Sequence, residues 1–185
     1  IMSNLHLPSD LLLHGFELGG GKSIKKVSVY NKTFNPTNTT EDITIDAVDL
    51  DATFIRIYEH QTSTGVMFGI DNPGAVEAYF TSTTNVRLRR NSPGGLPEYY
   101  VEVIEYEPNA IKSLQSANTV TLAADTVNIT LSPGVDPSKC LVVVSHRSAN
   151  SSARTSVYGK VTASDNLAIY CPILSNRNTH RGSYF

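Results

Sequence analysis

A chain of 185 residues and 20.1 kDa is long enough to bury a core of its own, so folding at this size needs no staples. Charged residues make up 17% of the chain while Ser, Thr and Asn number 51, which excludes charge-driven disorder, coiled coils and long salt-bridged helices. A formal net charge of -2 and a pI near 6.2 offer no electrostatic footprint for nucleic acid.

The 16 Val, 12 Ile and 18 Thr residues are β-branched and favour pleated, half-buried surfaces, so the chain is expected to be all-β. The longest apolar run, Cys140 to Val144, is strand-sized and far short of the ~20 residues that span a bilayer, so no membrane insertion is expected. The first residues carry His6, Asp10 and His14 and no basic leader, which argues against a secretory signal. Ser9 to His14 is the one short helical candidate, ending at Gly15. Cys140 and Cys171 are read as two reduced, core-facing thiols, with one bridge inside the second half as the alternative.

In chain order, residues 1–21 are expected to form an N-terminal arm. Gly19-Gly20-Gly21-Lys22-Ser23 is its hinge rather than a phosphate loop, because Phe16 stands where that loop needs its first glycine. Beyond it the chain repeats. Ile24-Lys25 recurs as Ile111-Lys112 and Val48-Asp49 as Val135-Asp136, both at an offset of 87. Ile43-Thr44-Ile45 answers to Ile129-Thr130-Leu131, Phe54 to Ile57 to Leu141 to Val144, Asn85 to Leu88 to Asn166 to Ile169, and Tyr99-Tyr100 to Tyr184-Phe185. The expected architecture is therefore two tandem antiparallel β-sandwich units, 22–108 and 109–185, joined at Glu107-Pro108-Asn109, where Pro ends a strand. The second unit is expected to be truncated at its closing strand, leaving an edge that could pair with a neighbour.

Alternation marks most strands: Ile43 and Ile45 around Thr44, Ile55 and Ile57 against Phe54, Arg56 and Tyr58, and Val86 and Leu88 against Arg87 and Arg89. Val127, Ile129 and Leu131 follow the same pattern. In Val101 to Tyr106 the apolar phase slips between Val103 and Ile104, which predicts a bulge or a strand that changes sheet. Asp71 to Gly74, Ser92 to Gly95 and Ser132 to Gly134 carry turn chemistry.

The residues suggest no catalysis. No G-x-S-x-G elbow is present, Cys140 and His146 sit too far apart along a strand to meet, and Glu102 and Glu105 point to opposite faces. No catalytic, cofactor-binding or metal-binding residue is assigned. Asp46, Asp49 and Asp51 could offer oxygen ligands to calcium, but only Asp49 recurs, as Asp136, which favours a turn role. The candidates for partner or glycan contact are the basic strand Arg87, Arg89 and Arg90 and the tyrosines Tyr58, Tyr99 and Tyr100, because strand aromatics on an outward phase serve interfaces or sugar stacking.

The closing run Tyr99 to Tyr106 and the repeated Ile-Thr-Ile/Leu, Val-Asp and apolar-strand block resemble bacteriophage virion proteins built of tandem β-sandwich units. With the entry Phe34-Asn35-Pro36, the strand order is also similar to H-type lectin domains, six-stranded sandwiches that form trimers and bind GalNAc-type sugars. The Trp usual in the lectin closing strand is missing, so no site residue carries over. The resemblance implies a non-enzymatic structural or accessory protein of the virion particle, on a capsid or a tail or fibre. It would assemble as a homo-oligomer, and with other virion proteins, through its arm and sheet edges. The alternative is a receptor-binding adhesin for host surface glycan.

Overall fold

The structure is a computed structural model that describes residues 24–60, 76–91, 93, 98–122, 124–147, 157–171 and 181–185. The arm with its helical candidate and glycine hinge, the Asp71 to Gly74 turn and most of Ser92 to Gly95 lie outside the described residues. The protein is all-β and antiparallel. Its strands are β1 (Ile24–Thr33), β2 (Thr40–Thr44), β3 (Thr53–His60), β4 (Glu77–Ser82), β5 (Asn85–Arg89), β6 (Glu98–Tyr106), β7 (Ala117–Thr121), β8 (Thr126–Thr130), β9 (Val144–Arg147), β10 (Tyr158–Ala163), β11 (Asn166–Tyr170) and β12 (Arg181–Tyr184). No α-helix occurs among the described residues, only a 3-10 turn at Pro137–Lys139.

Among the described residues the strands form four three-stranded sheets, ordered β1-β6-β3, β2-β5-β4, β7-β12-β9 and β8-β11-β10. Adding six to each strand of the first two sheets gives the last two. The likeness extends to single bonds. Val48 N–H donates to the Thr83 carbonyl and Val135 N–H to the Ser164 carbonyl, tying each Val-Asp pair to the hairpin turn of the opposite sheet. Asp49 accepts the Asp51 amide and Asp136 the Ser138 amide, each at 3.0 Å, so the shared Asp closes a turn in both places. Asn85 donates to Thr81 Oγ1 and Asn166 to Thr162 Oγ1, both at 2.6 Å, and both hairpins bulge at that point.

Each pair of sheets encloses a core where alternation turns its apolar phase inward. One core gathers Ile43, Ile55, Ala78, Val86, Leu88, Tyr99, Val101 and Val103 around Phe34. The other gathers Leu122, Leu131, Leu167, Ile169, Cys171 and Tyr184. Between β1 and β2 no ladder forms. Lys26–Asp46 and Lys32–Glu41 ion pairs close that side of the first sandwich, with Tyr30 Oη accepting the Asp46 amide.

Four expectations are corrected. The phase slip in β6 is neither a bulge in that strand nor a change of sheet: β6 runs in regular register with β3, and Ile104 and Tyr106 are apolar because residues from the second half cover that end of its outer face. The irregularity lies on β1, where Lys25 is the extra residue between Ile24 and Lys26 and reaches Glu105. Tyr184 takes the place of Val101 rather than Tyr99, since the register Tyr100↔Tyr58 has its counterpart in Ser183↔Ser145 when β3 and β9 are aligned at the offset of 87. The short β12 is a central strand and exposes no edge. Both cysteines are free; Cys171 is buried, but Cys140 is half-buried and its thiol donates to the Asp136 carbonyl.

The two pairs of sheets meet along the open edge of β4. Ser145 Oγ accepts the Ala78 amide at 3.0 Å and donates to the Ala78 carbonyl at 3.3 Å, satisfying an edge that no described strand pairs. Beside it the fully buried Glu77 carboxylate binds Arg147 Nε at 2.9 Å and Ser183 Oγ at 2.7 Å, and Arg147 also donates to Asn91. Phe185 packs edge-on to Phe80, and with Val143, Ala110 and Ile111 it covers Phe54, Ile104 and Tyr106.

Candidate interaction surface

The six sequence candidates separate into three environments. Arg87 and Arg89 lie on the outer face of β2-β5-β4, the opposite phase from Val86 and Leu88. Arg87 is held by a two-pronged bond to Asp42, 2.8 Å from each carboxylate oxygen. That bond raises the Arg87 pKa and, with Asn85, lowers that of Asp42. Arg89 is half-buried opposite Glu77. Arg90 and Tyr99 are not surface residues. β5 ends at Arg89, and Arg90 turns inward to donate to the Asn38 and Asn35 carbonyls at 2.9 Å, its guanidinium 4.5 Å from the Phe34 ring centre. Tyr99 meets the same ring edge-on at 5.7 Å and is 1% exposed.

Tyr58 and Tyr100 remain, directly opposite each other in the ladder of β3 and β6 on the outer surface of β1-β6-β3. The next pair along is Arg56 and Glu102, and Val29 flanks Glu102 from β1. Arg56 sits 5.2 Å from the centre of the Tyr58 ring, donates to the Tyr58 hydroxyl and pairs with Glu102 at 3.6 Å. The Tyr58 hydroxyl lies 3.4 Å from Glu102 Oε2. This mesh holds the Tyr58 ring on the sheet, with Tyr100 opposite it in the ladder. Tyr58 and Tyr100 are 42% and 36% exposed, Val27 and Val29 50% and 59%, so the face leaves aromatic and aliphatic surface in water around one ion pair.

Arg56, Glu102, Val27 and Val29 were not among the sequence candidates. Their signal was the shared phase with Tyr58 and Tyr100, but using it required the register between strands more than 40 residues apart. Such a surface is suited to burial against another surface: aromatic area at low entropic cost, with a polar pair to set orientation. The Asp46, Asp49 and Asp51 cluster is engaged in a lysine ion pair and a turn. Set against known protein families, curated proteins and solved structures, the chain matches none of them.

Proposed function

We propose that the protein is a non-enzymatic assembly module, a structural or accessory component of a phage virion, that associates through the outer face of β1-β6-β3. The observation that carries the assembly reading is the exposed Val27, Val29, Tyr58 and Tyr100 surface on one sheet, set around the Arg56–Glu102 pair. Its placement in a virion rests on the resemblance of the tandem strand blocks. A glycan adhesin is the second reading, favoured by two exposed tyrosine rings beside an Arg–Glu pair that can hydrogen-bond hydroxyls.

Light scattering of the purified chain, with binding to intact bacterial cells, tests both. The assembly reading expects a species larger than the monomer that ignores cells, reduced to monomer by Tyr58→Ser with Tyr100→Ser. Cell binding displaced by a free sugar and lost in the same variant would replace assembly by adhesion. A variant that associates as the parent does would overturn the assignment of the face.

A further inference from the structure

The contact between the two halves joins unlike surfaces: the β4 edge of the first half sits on the outer face of β7-β12-β9 of the second. Each half contains the counterparts of both surfaces: the second keeps its own edge strand, and the first keeps its outer face apart from the end at Phe54, Ile104 and Tyr106 that the second half covers. The counterpart of the covered face is the outer face of β1-β6-β3. At the offset of 87, Ser145 corresponds to Tyr58, and by register Ser183, its neighbour, corresponds to Tyr100. The residues that bind Glu77 and Ala78 inside the chain thus stand where the two exposed tyrosines stand in the first half.

The counterpart of the β4 edge is β10. Its register with β11, Tyr158↔Tyr170 and Gly159↔Ile169, matches Glu77↔Arg89 and Ala78↔Leu88, so Tyr158 stands for Glu77 and Gly159 for Ala78. Among the described residues no strand pairs the outer edge of β10, and Tyr158 is 54% exposed, stacked on Tyr170 at 4.9 Å. A second pair of positions agrees. Within the chain Ile111 packs against the cluster of Phe54, Ile104 and Tyr106, and the counterparts of Ile111 and Phe54 are Ile24 and Leu141, both exposed. Of the eight large apolar side chains exposed among the described residues, five (Ile24, Tyr58, Tyr100, Leu141 and Tyr158) fall on positions that the internal contact buries in the other half.

From this we infer that a second copy of the chain docks head to tail, the β10 edge and Leu141 of one copy meeting the Tyr58–Tyr100 face and Ile24 of the next. The contact repeats the internal one, with an aromatic cluster in place of the Glu77–Arg147–serine latch. Joining unlike surfaces, it propagates into a ring or a filament rather than closing as a two-fold dimer. The inference rests on the assembly reading above and adds the occupant of its face.

The test uses two full-length variants: Tyr58→Ser with Tyr100→Ser removes the receiving face, and Tyr158→Ser with Leu141→Ser removes the inserting edge. Sedimentation velocity should show the parent chain associating and each variant alone weakened by roughly 30-fold or more. An equimolar mixture should give a dimer and nothing larger, because one intact copy of each surface remains. Circular dichroism and melting curves establish that both variants fold. If the receiving-face variant loses association while the edge variant keeps it, the face stands and the head-to-tail contact falls. A mixture that stays monomeric overturns the contact as well, and a parent chain that is monomeric at every concentration overturns both.

Discussion

The two halves share strand order and turn bonds but solve one corner of the sandwich differently. In the first, Phe34, Tyr99 and Arg90 fill it, with ring against ring and a buried guanidinium capping two carbonyls. In the second, register places Leu122, Gly182 and Cys171 at the same points, and all three are buried. A large aromatic–cation cluster and a small aliphatic–thiol cluster thus support the same backbone, so topology here depends on turns and alternation more than on any one packing solution. The outer faces diverge as well: where the second half has serines that accept a neighbour's edge, the first has partly exposed tyrosines.

The latch between the halves offers the most severe way to break this comparison. Glu77→Ala should cost about 3–5 kcal/mol in urea unfolding, because Arg147 is left buried without its carboxylate. Replacing both, by Glu77→Leu with Arg147→Met, should recover most of that loss if desolvation is the cause.

Exchanging corner residues comes next. Arg90→Met should destabilise by about 2 kcal/mol, since it strips charged donors from the Asn35 and Asn38 carbonyls. Gly182→Ala should cost about 1–3 kcal/mol, because a Cβ there would lie 3.2 Å from the Ser145 carbonyl oxygen and 3.4 Å from Leu122.

A pH titration separates the halves more gently. Burial pushes the Glu105 carboxyl up, but the Lys25 ammonium and the Asp49 amide outweigh it and hold it below the usual carboxylate range. A lowered folded-state pKa gives stability that is complete above about pH 4.3 and drains away as pH falls through the folded value. Chemical denaturation between pH 6 and pH 3 should therefore show an acid loss that Glu105→Gln reduces. The smallest effect belongs to Arg87 and Asp42, both substantially exposed: Arg87→Gln should change the melting temperature little, and less still in high salt.

Much of the fold is legible in the residues. Period-two alternation in Val86 to Arg89 and in Val127 to Leu131 reads correctly because one face of each strand meets the core. The shared Asp at 49 and 136 reads correctly because an Asx turn is local. The candidate surface is half legible. Alternation forbids Tyr99 and Tyr100 from sharing a face, but only the Phe34 and Arg90 contacts show which of them is buried. The Glu77–Arg147 pair spans 70 residues and two sandwiches, and no local pattern distinguishes a charge that will be buried by a distant edge from one left in water.

The central claim is that the contact inside the chain recurs between chains, and amide hydrogen exchange at Ala78 and Gly159 tests it most directly. Ala78 donates to Ser145 and should be protected at every protein concentration. Gly159, its counterpart on the edge of β10 that no described strand pairs, should exchange freely in dilute solution and become protected as the chain associates. Protection at Gly159 that ignores concentration, or an Ala78 amide as exposed as that of Gly159, would contradict the account.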